Sequence, residues 1–437
     1  MDQVTSSAAQ LRAGLQALAH PLPGGMRDLL PWEARQQLHL SRVVLKAFEL
    51  HGFQQVILPA FEYADVLEQG LGPIEANSVL RFVEPETGEV VALRPDMTPQ
   101  VARLVATRLA SEPGPVRLSY RGSVLRRRHE RARHQQQVVQ AGIELVGRGG
   151  LAGDLEVLEA ATHAVRRAGL ERFVLDLGHG RIASSLLDDL SAEARERLLE
   201  PLTQKDQAEL VRRAEKLGLS AARVRALAAL PELQGGGEVF DAARRLLADT
   251  AALPLVDELQ LLHRAVEEAG LAPSVVVDIG ETRPFAYYTG PLFQVLAEGP
   301  GQAVGSGGRY DTLYERFGVP RPAAGFAVHV NNLGWAVGDA QRLGIPLRAL
   351  VVSSPAASGT ADAAGAAEVL GTLRTAEIPC ALSDGTNPLD YARAWRYSHV
   401  VWLTSARRVR VSQLTSDGER DRGEVDVVEL PARLLAG

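Results

Sequence analysis

The chain has 437 residues, a formal net charge of −6 and a hydrophobic content of 46%, which is typical of a soluble globular protein with about two or three domains. The acidic balance gives no overall attraction to nucleic acid. The single cysteine, Cys380, excludes an internal disulfide and a cysteine-rich zinc site, and it fits a reducing compartment.

The first twenty residues contain no basic start followed by an apolar run, and no later segment offers about eighteen apolar residues in a row. We therefore expect a cytoplasmic protein without a membrane segment. No lysine lies in a glycine-rich loop, so a Walker-type phosphate site is absent. The sequence predicts neither a metal ion nor a cofactor.

Helical and alternating apolar patterns define the next part of the chain, after a segment rich in Pro and Gly at 21–31. The predicted elements are, in chain order, a long amphipathic helix over 33–52, a short strand over 53–63, a hairpin over 81–95, a helix over 98–110, and two strands over 115–128 and 135–147. Few helices interrupt these strands, so we predict an α+β fold with a mainly antiparallel sheet.

Residues 185–270 are rich in Ala, Leu, Glu and Arg at helical periodicity and contain no convincing strand, which indicates a helical insertion. This insertion divides the first domain into residues 1–184 and residues 271–340. Strands resume after it over 274–280, 291–299 and 323–330. Residues 341–437 then alternate strands and helices, which predicts a small α/β domain with parallel pairing.

The first segment that could carry chemistry is LRPDMTPQVAR at 93–103. Asp96 and Thr98 follow a predicted strand and could accept hydrogen bonds from an ammonium group. The structural alternative makes Thr98 an N-cap before Pro99 and Asp96 a solvated loop carboxylate. Taken alone, the segment favours that alternative, and other polar residues are needed to support a ligand.

Such residues follow at Gln140, Gly142 and Glu144, which alternate onto one face of a predicted strand. An inward Gln and Glu indicate the polar floor of a pocket. A buried carboxylate needs a partner, and an imidazole or ammonium ligand would serve. An internal ion pair would serve equally, and the sequence does not decide between them.

The loop RRRHERARH at 126–134 begins with Arg126 and concentrates positive charge. It could hold a phosphate, a nucleic-acid backbone or an acidic protein surface. A solvated loop is the structural alternative for such a run of charge.

Two later segments add further candidate ligand-binding side chains. In RPFAYYTGPLFQV at 283–295, Arg283 could clamp a carboxylate, while Tyr287 and Tyr288 offer hydroxyl groups or could be core residues. In GSGGRYDTLYERFG, a glycine-rich turn at 305–308 would allow close approach of the backbone to a ligand, and Tyr310 follows it.

With PLPGGMRDLLP at 21–31, these segments in this order resemble the class II catalytic core of histidyl-tRNA synthetase over about residues 20–335. That family binds histidine with a motif RGLDYYTG, which reads RPFAYYTG here, with Pro284 and Ala286 as the departures. The resemblance implies a class II antiparallel sheet flanked by helices and a pocket for histidine. The implied histidine-binding residues are Asp96, Thr98 and Gln140 for the ammonium, Arg283 for the carboxylate, and Glu144, Tyr288 and Tyr310 near the imidazole, with Tyr287 as a further ligand-binding residue.

The ATP side departs from the synthetase pattern. Arg126 matches the arginine of the second motif and could contact a phosphate. Three later positions of that motif differ: Arg128, His134 and Gln136. The third motif of the family ends with an arginine that holds the γ-phosphate, but in GFAVHVNNLG at 325–334 that position is Asn332, after Asn331 where an acidic residue is expected. Loss of this charge-assisted contact should cripple adenylation.

A chain that keeps the amino-acid pocket and loses the chemistry resembles the regulatory subunits of ATP phosphoribosyltransferase, synthetase-like paralogues in histidine biosynthesis. The resemblance implies a non-catalytic chain that a short catalytic subunit requires for the first step of that pathway, with L-histidine as the feedback effector. Class II cores pair through their first motif, so we expect a homodimer within a hetero-oligomer, with residues 21–50 in the seam.

Two other functions remain open at this point. Arg126 and a C-terminal domain that resembles a degenerate anticodon-binding domain favour a histidyl-tRNA synthetase with a degenerate ATP site. Asn332 and the net charge argue against it and against tRNA as a partner. A binding module for histidine-like molecules or tRNA, without an enzyme partner, is the third class, and co-purification of a phosphoribosyltransferase would exclude it.

Overall fold

The computed structural model describes residues 22–71, 79–125, 137–281, 287–338, 343–353, 360–383, 387–405 and 407–436. The chain forms two compact units, Met1–Gln341 and Arg342–Gly437. None of the helices in these described ranges is both long and apolar enough to cross a membrane.

The first unit mixes strands and helices along the chain. Its described strands are β1 Gln54–Val56, β2 Phe61–Tyr63, β3 Arg81–Val83, β4 Val90–Leu93, β5 Val116–Leu125, β6 Gln137–Val146, β7 Val174–His179, β8 Gln234–Gly235, β9 Ser274–Asp278, β10 Pro291–Leu296, β11 Gly305–Arg309 and β12 Ala323–His329. Its described helices are α1 Pro31–Leu50, α2 Ala64–Gly70, α3 Thr98–Arg108, α4 Gly150–Arg167, α5 Ile182–Ser185, α6 Ala192–Thr203, α7 Gln207–Lys216, α8 Ala221–Ala229, α9 Val239–Leu247, α10 Leu253–Glu268 and α11 Val330–Val337.

A nine-stranded sheet in the order β1-β5-β6-β12-β11-β10-β7-β9-β8 organises the described part of this unit. Its pairs are antiparallel except β1 with β5 and β7 with β9. The predicted mainly antiparallel sheet is confirmed. The predicted hairpin is also confirmed, since β3 and β4 pair antiparallel and join β2 in a separate three-stranded sheet.

Two local predictions were wrong. The single strand expected over 53–63 is two strands in different sheets, β1 and β2, separated by a segment containing Pro59, which has no N–H to donate to a ladder. The insertion does contain a strand, because Gln234 and Gly235 pair with the end of β9. A two-residue strand that ends in a run of three glycines has no periodic signal, so only its partner strand defines it.

The main core lies between one face of the sheet and helices α1 and α4. Leu40, Val44 and Phe48 of α1 pack in one buried cluster with Ile143 and Leu145 of β6. Burying side chains of this size stabilises the fold by about 1.5–3 kcal/mol each. Because side chains alternate along a strand, this packing turns the even-numbered residues of β6 to the other face of the sheet.

The segment predicted as a helical insertion, residues 185–270, contains helices α6 to α10. Three of them begin with a side chain that caps the first turn, as Ser191 accepts from the N–H of Ala194, Asp206 from Glu209 and Ser220 from Arg223. The last and longest helix of the segment, α10, packs against α4 and strands β7, β9 and β10. The segment therefore packs on the same face of the nine-stranded sheet as α4.

The second unit contains a five-stranded sheet in its described residues, in the order β14-β13-β15-β16-β17. Its described elements are β13 Ala349–Val352, α12 Thr360–Thr375, β14 Cys380–Leu382, α13 Pro388–Ala394, β15 His399–Ser405, β16 Arg408–Thr415, β17 Gly418–Asp426 and α14 Leu430–Leu435. Strand β13 pairs parallel with β14 and β15, which confirms the predicted parallel pairing. An antiparallel hairpin, β16 and β17, extends the sheet.

Candidate amino-acid pocket

A small pocket lies on the face of the nine-stranded sheet opposite α1 and α4. Its lining includes most of the residues predicted from the sequence: Asp96, Thr98, Gln140, Tyr287, Tyr288 and Tyr310. Glu144 lies at its base and is bonded to two of these residues. Arg283 and Arg126 lie outside the described residues, as do Arg128, His134 and Gln136, so their roles stay predictions.

Glu144 is buried with hydroxyl partners. The hydroxyl of Thr98 donates to Glu144 Oε1 at 2.8 Å, that of Tyr120 lies 3.3 Å from the same oxygen, and that of Tyr310 donates to Oε2. Among the described residues, no Arg or Lys forms an ion pair with Glu144. Within the described residues, Glu144 is therefore not part of an internal ion pair, which was the alternative that the sequence left open.

Burial raises the pKa of Glu144 to about 8, although the donated hydrogen bonds oppose this rise. Burial also raises the pKa values of Tyr120 and Tyr310 well above their usual range, so both hydroxyls keep their protons. A cationic ligand beside Glu144 would favour its charged form. The site is thus suited to an imidazole or ammonium group.

Asp96 and Thr98 occupy the turn between β4 and α3. Asp96 is buried and its Oδ1 accepts a hydrogen bond from the N–H of Thr98 at 2.9 Å. The structural alternative from the sequence was wrong on both counts, because Met97 holds the N-cap position and Asp96 is not solvated. The Thr98 hydroxyl is directed to Glu144 instead of capping the helix.

Arg94 fixes this turn, a role that the sequence analysis did not identify. It is buried and its guanidinium donates to the carbonyl oxygens of Leu58, Pro59 and Ser123 at 3.0, 2.7 and 2.9 Å. Two separate segments, one at residues 58–59 and one at Ser123, are thereby tied to the loop that carries Asp96. The density of backbone acceptors around one arginine depends on the fold and leaves no pattern in the sequence.

Gln140 presents an acceptor to the pocket. Its side chain is 1% exposed, and its Nε2 lies 3.4 Å from Nε2 of His329, the residue opposite it on β12. Its Oε1 has no hydrogen-bond partner within the described part of the chain. Buried polar atoms are normally paired, so an unpaired acceptor in a pocket indicates a place for a ligand donor.

Three tyrosines form the aromatic wall. The ring centroids of Tyr287 and Tyr288 are 4.9 Å apart, and Tyr310 meets Tyr287 edge to face at 5.4 Å. All three side chains are buried. The hydroxyl of Tyr120, which the sequence analysis missed, completes the wall from β5, where Tyr120 is paired with Gly142. A Tyr opposite a Gly on adjacent strands is visible only once the register is known.

The glycine-rich segment at 305–308 was predicted to be a turn, but it is strand β11, paired on both sides. A Cβ at Gly307 would lie 2.8 Å from the ring of Phe293, so glycine is needed for packing against the neighbouring strand. Gly325, on β12, has the corresponding role at the pocket, since a Cβ there would lie 2.6 Å from Glu144 Oε2.

Beyond the end of β12, two asparagine side chains are hydrogen-bonded to backbone groups of the fold. The predicted passage from strand to helix in GFAVHVNNLG is confirmed by β12 and α11. Asn332 is buried, and its Nδ2 donates to the carbonyl of Ala303 at 2.8 Å. Asn331 Oδ1 accepts from the N–H of Val139 at 3.3 Å. These amides are used within the fold, and no Arg or Lys is among the described residues that line the pocket.

Comparison with known proteins agrees with this geometry. Residues 25–333 match the family model described as histidyl-tRNA synthetase. A protein from Anaeromyxobacter sp. (strain Fw109-5), named ATP phosphoribosyltransferase regulatory subunit, is 42% identical over 309 residues, which are 70% of this chain and 90% of the relative. The protein of that name from Syntrophotalea carbinolica is 33% identical over 411 residues, which are 91% of this chain and 94% of the relative.

The chain belongs to the ATP phosphoribosyltransferase regulatory subunit family. A solved structure from Bacillus halodurans C, described as an ATP phosphoribosyltransferase regulatory subunit/histidyl-tRNA synthetase, has a TM-score of 0.75 and 27% identity, covering 88% of this chain and 98% of that one. The family resemblance and the class II synthetase-like fold predicted from the sequence are both confirmed.

Proposed function

We propose that this chain is a non-catalytic regulatory subunit of ATP phosphoribosyltransferase, required for the activity of a short catalytic subunit in the first step of histidine biosynthesis. The names of its relatives support this function. The observation that carries it is the polar pocket around Glu144, combined with Asn332, which donates to the backbone at the position where the resemblance implies a phosphate-binding arginine.

The ligand that this pocket fits is L-histidine. Glu144 can accept from an imidazole N–H, and the buried tyrosine rings enclose the ring of the ligand. Gln140 Oε1 and the carboxylate of Asp96 are acceptors for the α-ammonium group. In this proposal Arg283 holds the α-carboxylate.

Histidine would then act as the feedback effector. A ligand shifts an equilibrium between two states only when it binds them with different affinities. We expect histidine to bind more tightly when this chain is in the inhibited hetero-complex than in the active one. Equal affinities for the free chain and for both complexes, measured by calorimetry, would refute this part of the proposal.

The test of the main function uses the catalytic subunit encoded in the same genome. Formation of phosphoribosyl-ATP is measured with the catalytic subunit alone, with this chain added, and with this chain and histidine. We expect the rate to rise on addition of the chain and to fall again with histidine. No rise in rate would contradict the regulatory function.

An active histidyl-tRNA synthetase is the second candidate, although the match of residues 25–333 to that family model is also what a regulatory paralogue would give. Our proposal requires that the chain does not aminoacylate tRNA, because Asn332 cannot supply the charge-assisted contact to a phosphate. Histidine-dependent exchange of pyrophosphate into ATP measures this activity directly. A rate clearly above background would favour the synthetase.

We further propose how the chain is organised and assembled. Residues 1–184 and 271–340 form the synthetase-like core, residues 185–270 the helical insertion, and residues 341–437 the small α/β domain. Two copies pair through residues 21–50 within a cytoplasmic hetero-oligomer that contains the catalytic subunit. Light scattering of the chain alone tests the pairing, because a monomer at working concentration would contradict it.

A further inference from the structure

A buried ionic cluster lies on the side of the sheet opposite the pocket. Arg309, the last residue of β11, is 7% exposed and forms an ion pair with Asp154 of α4 at 3.3 Å. Its Nη2 also donates to Oε1 of Glu258 on α10. The carboxylate of Asp311 lies 3.7 Å from Nη1. One guanidinium thus connects a sheet strand to two helices.

Glu258 binds a second group of the sheet. Its Oε2 lies 3.2 Å from Nε2 of His179, the fully buried last residue of β7. His179 Nδ1 accepts from the N–H of Arg181 at 3.1 Å, so Nε2 carries the ring proton and donates it to Glu258. Burial lowers the pKa of His179, which keeps the ring neutral. Glu258 therefore accepts from β7 and β11 at once.

The backbone of Arg309 holds the tyrosine segment of the pocket. Its carbonyl accepts from the N–H groups of Thr289 and Gly290 at 2.9 and 3.2 Å. The side chain lies across Gly290, where a Cβ would be 2.6 Å from the guanidinium Nε. The Thr289 hydroxyl accepts from the N–H of Asp311 at 2.8 Å. The segment after Tyr288 is thus fixed to the residues on both sides of Tyr310.

Arg309 and Tyr310 are consecutive residues whose side chains lie on opposite faces of the sheet. The Tyr310 hydroxyl reaches Glu144 in the pocket, while the Arg309 guanidinium reaches α4 and α10 behind the sheet. Arg309 and Tyr310 are joined by one peptide bond at the end of β11, so a backbone shift at Arg309 also displaces Tyr310. This peptide bond is a covalent path between the contacts of α10 and the wall of the pocket.

We propose that Arg309 and Glu258 are positioning residues, which set the shape of the pocket from behind the sheet and link ligand binding to the packing of helix α10. The identity of the ligand as histidine rests on the proposed function. Since linkage is reciprocal, an occupied pocket also holds α10 more firmly against the sheet. The packing of the insertion, which contains α10, thereby depends on whether the pocket is occupied.

The test compares Glu258→Gln with Asp257→Asn in the full chain. Asp257 is the next residue of the same helix, and its Oδ1 accepts from Arg244 at 2.6 Å in an exposed ion pair. Each variant removes one carboxylate charge and one arginine partner from α10, but only Glu258 contacts β11. Arg309→Lys provides the same test if Glu258→Gln does not fold, because one ammonium cannot replace the guanidinium fork.

Two measurements separate this inference from the proposed function. Hydrogen exchange of the ligand-free chain should be faster in residues 287–296 for Glu258→Gln than for Asp257→Asn. Calorimetry with histidine should show binding at least about fivefold weaker for Glu258→Gln, the lower end of typical coupling between sites. Histidine should also slow exchange in residues 253–268 of the wild type and not of Glu258→Gln.

Each outcome has one meaning. Equal exchange in residues 287–296 for the two variants would overturn the positioning role, whatever the ligand is. If wild-type chain does not bind histidine but the exchange difference is found, the positioning role stands and the histidine assignment fails. If histidine binds both variants equally and leaves residues 253–268 unchanged, the link between the pocket and α10 is overturned.

Discussion

Strand β12 lines the pocket and leads into α11, and the buried polar groups of these two regions differ in their hydrogen bonding. Residues 325–327 line the pocket, where Gln140 Oε1 has no partner among the described residues and a buried carboxylate is held by hydroxyls. Just past the end of β12, Asn332 is satisfied by a backbone carbonyl. In our proposal the unpaired acceptor belongs to a ligand site, whereas the amide of Asn332 serves the fold, because buried polar atoms are normally paired.

The largest effect should come from Glu144→Gln. The variant keeps the size of the side chain but replaces a carboxylate by an amide that cannot take a charge. A hydrogen bond to a charged group contributes about 1.5–3 kcal/mol, so histidine binding should weaken by about 10- to 150-fold. Calorimetry on the full chain measures this, and an affinity within threefold of wild type (about 0.7 kcal/mol) would contradict a histidine site at Glu144.

The same variant should change the pH dependence of stability. The pKa of Glu144 is about 8 in the folded chain, above its ordinary value of 4.5, so the folded state binds the proton more tightly than the unfolded state. The free energy of unfolding of the ligand-free chain should therefore fall as pH rises through this window. Urea unfolding at several pH values should show a shallower fall for Glu144→Gln than for wild type. Identical slopes would disprove the raised pKa.

A pair of tyrosines allows a smaller, matched comparison. Tyr310 and Tyr314 are both fully buried, but the hydroxyl of Tyr310 bonds Glu144, whereas that of Tyr314 has no partner among the described residues. Tyr310→Phe should weaken histidine binding by about 5- to 30-fold, as expected for a hydrogen bond of about 1–2 kcal/mol. Tyr314→Phe should leave binding unchanged and stability unchanged or slightly higher. The reverse order in calorimetry would contradict a role of the Tyr310 hydroxyl in the ligand site.

The smallest effect on the ligand is expected at Asn332. Asn332→Ala leaves the carbonyl of Ala303 without its donor, so the free energy of unfolding should fall by about 1–3 kcal/mol. Histidine binding should stay within about twofold of wild type, because the side chain does not line the pocket. Urea unfolding measures the change in stability, and calorimetry measures histidine binding. A strong loss of histidine affinity would show that this region still belongs to a ligand site.

Several site residues could be predicted because their chemistry is local. Asp96 and Thr98 follow a strand and precede Pro99. Gln140 and Glu144 both occupy even-numbered positions of the ten-residue strand β6. Alternation along a strand is fixed by its pleat, so the sequence already places both side chains on one face. The signal failed at 305–308, where glycines indicated a turn although they are required by close packing within a sheet.

The amino-acid sequence by itself determined the long helix α1, the hairpin of β3 and β4, and the polar face of β6, and it has Asn332 where the resemblance implies an arginine. These properties follow from periodicity and residue type, which act over a few neighbouring positions. The tertiary structure alone decided that Tyr120 and Tyr310 bond Glu144, that Arg94 fixes the loop of Asp96, and that Arg309 meets Glu258 of α10. These partners are far apart in the chain, and only the pairing of strands and the packing of helices brings their atoms within hydrogen-bond distance.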